Sequence, residues 1–153
     1  MYTHILVPTD GSELAQNGVD HALSLAKALG SKVTVITATE PFPFIYSDGW
    51  VPSEEDVRQF EERQEQGAAE TLAKVKAQAD GMGVPADTVH APKDKAASAI
   101  VETAQRLGCN LIVMSSHGRR GIVRMLLGSQ ASEVLANSTV PVLVVRQVTQ
   151  PGV

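Results

Sequence analysis

Short apolar runs alternate with stretches of three-to-four apolar spacing along this chain, and the alternation predicts its elements. His4 to Pro8 holds the run Ile5-Leu6-Val7 and ends at the turn cluster Thr9-Asp10-Gly11-Ser12, the pattern of a buried strand that hands over to a helix. From Glu13 to Leu29 the apolar positions Leu14, Gly18, Ala22, Leu25 and Leu29 predict a first helix, with Ser12 as its N-cap and Gly30 as its stop. Lys32 to Ala38, rich in Val, Ile and Thr, reads as a second strand. Ser53 to about Met82 is charged and rich in Ala and Gln, with Val57, Phe60, Leu72, Val75 and Ala79 as its apolar positions, and predicts a long exposed helix. Asp87 to Ala91 is a short strand. Lys95 to Leu107 is a helix with Ala96, Ile100, Ala104 and Leu107 on one face, ended by Gly108. Leu111-Ile112-Val113-Met114 is apolar without alternation, as a central parallel strand covered on both sides must be. A helix from about Gln130 to Asn137 and a strand from Val142 to Arg146 close the chain.

Five strands alternating with four helices predict an α/β fold: a three-layer sandwich in which a five-stranded parallel sheet carries four helices, the open, nucleotide-binding (Rossmann-like) arrangement. In such sheets ligands lie at the carboxyl ends of the strands, where the strand order reverses. Strands one and four are the pair expected to flank that crevice, because both end in polar, glycine-bearing loops, Pro8-Thr9-Asp10-Gly11-Ser12 and Ser115-Ser116-His117-Gly118. Residues 41–52, with three prolines, Gly49 and most of the aromatics, predict a long loop able to cover a site or touch a partner.

Composition narrows the field. At 153 residues, 43% hydrophobic and 20% charged, the chain fits a single globular domain over 1–153. A net charge of -4 speaks against a nucleic-acid partner, whose backbone calls for a basic surface. No apolar run approaches the roughly 20 residues of a membrane helix. The start Met1-Tyr2-Thr3-His4 lacks the features of a secretory signal. One cysteine, Cys109, allows no internal disulfide and is read as a small buried residue. Together these point to a cytoplasmic protein with neither a membrane nor a nucleic-acid partner.

The candidate chemistry lies between Ser115 and Ser129, where Ser115-x-x-Gly118 is followed by nine residues, then Gly128-Ser129, then a helix. A helix start leaves backbone N–H groups unpaired at the positive end of its dipole, so it can hold phosphate oxygens without a lysine. Gly118 and Gly128 would remove side chains where backbone nears an anion, and Ser129 would add a hydroxyl while capping the helix. His117 could donate to a phosphate, and Arg119, Arg120 and Arg124 lie in the same run. Spacing alone leaves the bland alternative open, since glycine and serine punctuate any strand-to-helix connection. Asp10, at the end of strand one, would face the same crevice, accepting a ribose hydroxyl or holding magnesium. Its alternative is an Asx turn. No G-x-G-x-x-G follows the first strand and no G-x-x-x-x-G-K-[ST] occurs, so dinucleotide and P-loop readings are disfavoured.

Ile5-Leu6-Val7-Pro8-Thr9-Asp10-Gly11-Ser12, the run Leu111 to Ser129 and the closing Val140-Pro141-Val142-Leu143-Val144-Val145 together resemble the universal stress protein family. The family's nucleotide motif, G-x2-G-x9-G-[S/T], falls on positions 115, 118, 128 and 129; Gly118, Gly128 and Ser129 match it, and Ser115 replaces its first glycine. The resemblance implies ATP, with magnesium if any near Asp10, in a pocket of Pro8, Thr9, Asp10, Ala38 and Met114 around adenine and ribose. Ser115, His117, Gly118, Gly128, Ser129 and the Gln130 backbone would meet ribose and phosphates.

The last strand, Val142 to Val145, is apolar at successive positions and is expected to have both faces buried; if it lies at the sheet edge, it would pair with its copy in a homodimer, as the resemblance also implies. The alternative is that Gln147 to Val153 folds back over it. The functional expectation is an ATP-binding regulatory, stress-response dimer with at most slow hydrolysis, since no general base or phosphate-directed lysine is identified. Two others stand beside it: an interaction module of the same fold that has lost nucleotide at Ser115 and works through loop 41–52 and the long helix, and a phosphate- or adenylate-transferring enzyme.

Overall fold

The computed structural model describes residues 1–43, 49–92, 94–118 and 127–146. Nine elements follow in order: β1 His4–Pro8, α1 Glu13–Leu29, β2 Lys32–Thr39, α2 Glu54–Met82, β3 Ala86–Pro92, α3 Ala96–Leu107, β4 Leu111–Ser115, α4 Ser129–Asn137 and β5 Val142–Val145. All neighbouring strands pair in parallel, in the order β3-β2-β1-β4-β5. Ile5 lies opposite Val33 on one side of β1 and opposite Leu111 on the other. The predicted five-strand, four-helix α/β architecture is the one the chain adopts.

Strand alternation splits the core into two. Ile5, Val7, Val33, Val35, Leu111 and Val113 point to one face, where Val19 and Leu23 of α1 and Leu72 and Val75 of α2 cover them. Leu6, Ile36, Ile112 and Met114 point to the other, under Ile100 of α3 and Val134 of α4. Ile5, Leu6 and Val7 are each 0% exposed, so β1 is central in width and in depth. The chain therefore begins in the middle of the sheet, winds outward to β3 with its helices on one face, then crosses back to β4 and continues outward with its helices on the other. Right-handed crossovers require that change of face whenever the direction reverses.

Three sequence expectations shift in detail. On α1 the buried face is Ala15, Gly18, Val19, Ala22, Leu23 and Ala26, with Leu14 and Leu25 half-buried and Leu29 47% exposed. The small residues face the sheet because α1 packs tightly on β4: a Cβ on Gly18 would lie 2.8 Å from the Ser115 amide nitrogen. The second shift is in β5, which is not buried on both faces. Val142 and Val144 are half-buried, Leu143 is 42% exposed and only Val145 is buried, as suits a strand at the edge of the sheet. Third, α4 opens with Gly128 as its N-cap, with no side-chain capping bond, and Ser129 is its first helical residue rather than the cap.

Other expectations hold locally: Ser12 Oγ accepts from the Ala15 amide at 3.2 Å, and α1, α2 and α3 each stop at a glycine in left-handed conformation. The structure adds a reciprocal capping box of Ser53 and Asp56 at the start of α2. Cys109 is buried, and burial pushes its thiol pKa up. The buried residues of α2 lie from Ala68 onward, while its amino-terminal half carries the Arg58 bridges to Glu55 and Glu62.

At the opposite end of the sheet from the strand tips, the His4 imidazole sits 2.7 Å from the Thr34 hydroxyl. Burial lowers its pKa below 6.5, and the Lys32 charge acts in the same direction. The unfolded chain then binds a proton that the folded chain resists, so stability falls as pH drops through about 6.5 towards the folded value, and levels off below it. Thermal midpoints measured from pH 7.5 to 5.5 are expected to fall less in His4→Gln than in the wild type; equal slopes would rule His4 out as a source.

Candidate functional site

The reversal of strand order lies between β1 and β4, and the loops that leave these two strands meet there. After β1, the Thr9 amide donates to the Ile36 carbonyl (2.9 Å) and the buried Thr37 hydroxyl donates to the Thr9 carbonyl (2.9 Å), tying the tip of β1 to β2. Gly11 N–H donates to Thr9 Oγ1 (3.1 Å), and Ser12 N–H to Asp10 Oδ1 (2.9 Å), an Asx turn that fixes the carboxylate. The other oxygen, Oδ2, lies 2.9 Å from where a Cβ on Gly118 would stand. Asp10 thus lies close to the backbone of the loop after β4, where any side chain at position 118 would require the carboxylate to shift.

The β4 loop is fixed by backbone on both sides. Ser116 N–H donates to the Val145 carbonyl (2.8 Å), and the Ser116 carbonyl accepts from Gly128 N–H (2.7 Å). That second bond joins the loop to the start of α4 across the intervening residues. A Cβ on Gly128 would stand 2.9 Å from the same carbonyl and 3.6 Å from Cδ2 of His117. Ser115 Oγ donates to the His117 carbonyl at 2.8 Å, and Ser116 Oγ lies 3.0 Å from His117 Nδ1. His117 Nε2 is buried with no hydrogen-bond partner, alone in this among buried side-chain polar atoms of the described residues. An orphaned buried nitrogen carries a desolvation cost of roughly 1–3 kcal/mol that a ligand oxygen would relieve.

The first turn of α4 completes the cluster. Ser132 N–H is the first to bond within the helix, to the Gly128 carbonyl, and the N–H groups of Ser129, Gln130 and Ala131 have no partner among the described residues. Three amides at a helix start, next to two loops with no side chain at 118 or 128, form a surface suited to anionic oxygen. Of the predicted residues, Pro8, Thr9, Asp10, Met114, Ser115, His117, Gly118, Gly128, Ser129 and Gln130 lie at the tips of β1 and β4 or the start of α4, and Ala38 lies near the end of β2. Arg119, Arg120 and Arg124 fall outside the described residues, as do 44–48 of the predicted loop. Sequence reasoning missed Gly18, Thr37 and Ser116, which act through packing and backbone bonds that leave no pattern in a single chain.

It also missed a second role for Gln130. Its side-chain oxygen accepts from the Ala97 amide at 3.0 Å, supplying the cap that Lys95, the N-cap residue of α3, does not provide. The starts of α3 and α4 are therefore tied to each other. An open hollow of about 670 Å³ lies elsewhere, between α2 and the outer strand β3, against Leu72, Lys76, Ala86, Asp87 and His90. Two of its charges are already engaged, Lys76 with Asp80 and Asp87 with Lys32, and the convergent backbone donors are at the β1–β4 crevice. Among the described residues no group of three His, Cys, Asp or Glu side chains could hold a metal ion, and no helix is long and apolar enough to cross a membrane.

These features define an open parallel α/β protein whose strand order reverses over a glycine-floored crevice. The chain belongs to the universal stress protein family, whose model matches residues 1–146. It is 35% identical over 147 residues to the universal stress protein MJ0531 of Methanocaldococcus jannaschii, covering 96% of this chain and 84% of the relative. The solved structure of MJ0577 from the same organism superposes with a TM-score of 0.84 at 25% identity, covering 98% of this chain and 99% of that one. A universal stress protein in complex with cAMP (TM-score 0.69, 24% identity, 95% and 97% coverage) shares the fold. So does one from Archaeoglobus fulgidus in complex with dAMP (0.65, 20%, 94% and 97%).

Replacing Gln130 with Ala removes the α3 cap and is expected to lower stability to urea by about 1 kcal/mol. An unchanged denaturation midpoint would show that the bond to Ala97 contributes nothing.

Proposed function

We propose that this chain binds an adenine nucleotide, ATP in the first instance, in the crevice between β1 and β4, and acts as a regulatory dimer in a stress response. One observation carries the reading: three unpaired amides at the start of α4 stand beside two glycines where a Cβ would meet Asp10 or the Ser116 carbonyl. The phosphates would lie on the amides of Ser129, Gln130 and Ala131, and Asp10, kept from the phosphates by like charge, would accept a ribose hydroxyl. Pro8, Thr9, Ala38 and Met114 would enclose the base. Relatives of the same fold described with cAMP and dAMP are in keeping with an adenine ligand, while the case for this chain rests on its own residues.

What the site can do follows from its donor set. Backbone amides orient and neutralise phosphate oxygens without moving protons. Asp10, the one carboxylate at the crevice among the described residues, holds the Ser12 amide, so a magnesium ion would arrive with the phosphates and find that carboxylate beside it. Such a site retains nucleotide and hydrolyses it slowly at most, which suits a protein whose occupancy is the signal.

Calorimetric titration with ATP, AMP and cAMP is the test. The wild type is expected to bind ATP, and Gly128→Ala, correctly folded by circular dichroism, to lose at least about tenfold in affinity because its Cβ must displace backbone. No binding heat at millimolar ATP, and no nucleotide released on denaturing the purified protein, would remove the reading. The interaction-module reading through loop 41–52 and α2 would then take its place.

The edge position of β5 and the 42% exposure of Leu143 support pairing with a second copy along that edge. The segment 147–153 lies outside the described residues. Sedimentation equilibrium is expected to give a dimer for the wild type and a monomer for Leu143→Asp; a wild-type monomer at micromolar concentration would dismiss the dimer.

A further inference from the structure

Ser115 stands where the family motif has glycine, and it is the one position that sets this chain's crevice apart from that motif. A serine here could crowd the ligand. Its hydroxyl is instead turned along the loop, donating to the His117 carbonyl at 2.8 Å. That bond acts on a peptide plane. In a trans peptide the C=O of one residue and the N–H of the next point in opposite directions. With the His117 carbonyl held towards Ser115, Gly118 N–H is directed away from it, and this N–H has no partner among the described residues.

Other parts of the loop are fixed independently. The Ser115 amide lies against Gly18 of α1, Ser116 is bonded through its N–H to Val145 and through its carbonyl to Gly128, and the Gly118 Cα lies against Asp10 Oδ2. The 117–118 peptide lies between these anchors. Among the described residues its orientation is held by the one bond from Ser115, and Gly118, having no side chain, gives it little steric restraint of its own.

We infer that Ser115 is a positioning residue: its hydroxyl locks the 117–118 peptide so that Gly118 N–H is presented as a fourth backbone donor to an oxygen of the bound nucleotide. The inference rests on the nucleotide reading above and adds to it a reversal of the simplest expectation. Restoring the family's glycine at this position weakens binding, because the freed peptide can turn its N–H away and the ordering must then be done by the ligand.

Ser115→Gly and Ser115→Ala test this in two measurements. In nucleotide-free protein, the Gly118 amide resonance is expected to shift and broaden in both variants, while resonances of the core strands keep their positions. In calorimetry, both variants are expected to lose about 2- to 10-fold in ATP affinity, the range of a single hydrogen bond. Adenosine, tested beside ATP, identifies the oxygen: a loss with both places Gly118 N–H at the ribose, a loss with ATP alone places it at a phosphate. Glycine or alanine variants that bind as tightly as the wild type, or more tightly, would refute the lock and leave the nucleotide reading intact. If the wild type binds no nucleotide, that reading fails, and with it the role of Gly118 N–H as a ligand donor. An unperturbed Gly118 resonance in both variants would disprove the lock itself, with or without nucleotide.

Discussion

The structure depends on β1 being paired on both edges and covered on both faces. Ile5, Leu6 and Val7 have no exposed surface, β2 and β4 flank them, and the two halves of the core meet across this one strand. Because the chain starts there, it must leave in one direction and return to go in the other. The loops after β1 and β4 then diverge to opposite faces and leave a crevice between them. Asp10 and Gly118 are where the two loops touch, so the floor of the crevice is a direct product of the strand order.

Close backbone approach is the means by which that geometry is held. Three glycines are fixed by what a Cβ would strike: Gly18 by the Ser115 amide, Gly118 by the Asp10 carboxylate, Gly128 by the Ser116 carbonyl. They form a chain of contacts from α1 through the end of β4 to the start of α4. Displacing α1 would therefore move Ser115, and displacing the 115–118 loop would move the amides that open α4. A site made of backbone is only as accurate as the packing that carries it, and here the packing is of small residues on a rigid parallel sheet.

Much of this was legible in the sequence, and the reasons are physical. The runs Ile5-Leu6-Val7 and Leu111 to Met114 announce buried parallel strands because burial on both faces suppresses alternation. Ser12 and Gly30 mark the ends of α1 because they satisfy orphan backbone groups locally. The misses are of one kind. Of the α1 positions Leu14, Gly18, Ala22, Leu25 and Leu29, only Gly18 and Ala22 are buried, and they are joined by Ala15, Val19, Leu23 and Ala26, so the smallness of several of these residues matters as much as their hydrophobicity. Ser129 was read as a cap because its residue type favours that role, but the Gly128 amide is held by the Ser116 carbonyl and the helix starts one residue earlier. Gln130 was placed for its backbone, while its side chain serves α3, a contact between residues 33 apart that no local rule can supply. For the candidate site, sequence located the loops, and the structure adds which of their polar groups are already engaged and which are left over.

That distinction between engaged and unengaged groups decides what the proposed site can be. Asp10 Oδ1, Ser115 Oγ, the Ser116 backbone and the Gln130 side chain all serve the protein itself, which removes them from any list of mobile acids and bases. What remains among the described residues is N–H groups at 118 and 129 to 131 and the buried His117 Nε2. Hydrolysis of a phosphoanhydride needs a group that positions water in line with the leaving oxygen, and donors alone do not do that. A crevice of fixed donors instead favours a ligand whose oxygens match their spacing, and residues 9–12 and 115–118 are held by hydrogen bonds of the protein's own. On the proposed reading, the bonds that engage these side chains leave the backbone N–H groups to meet the ligand.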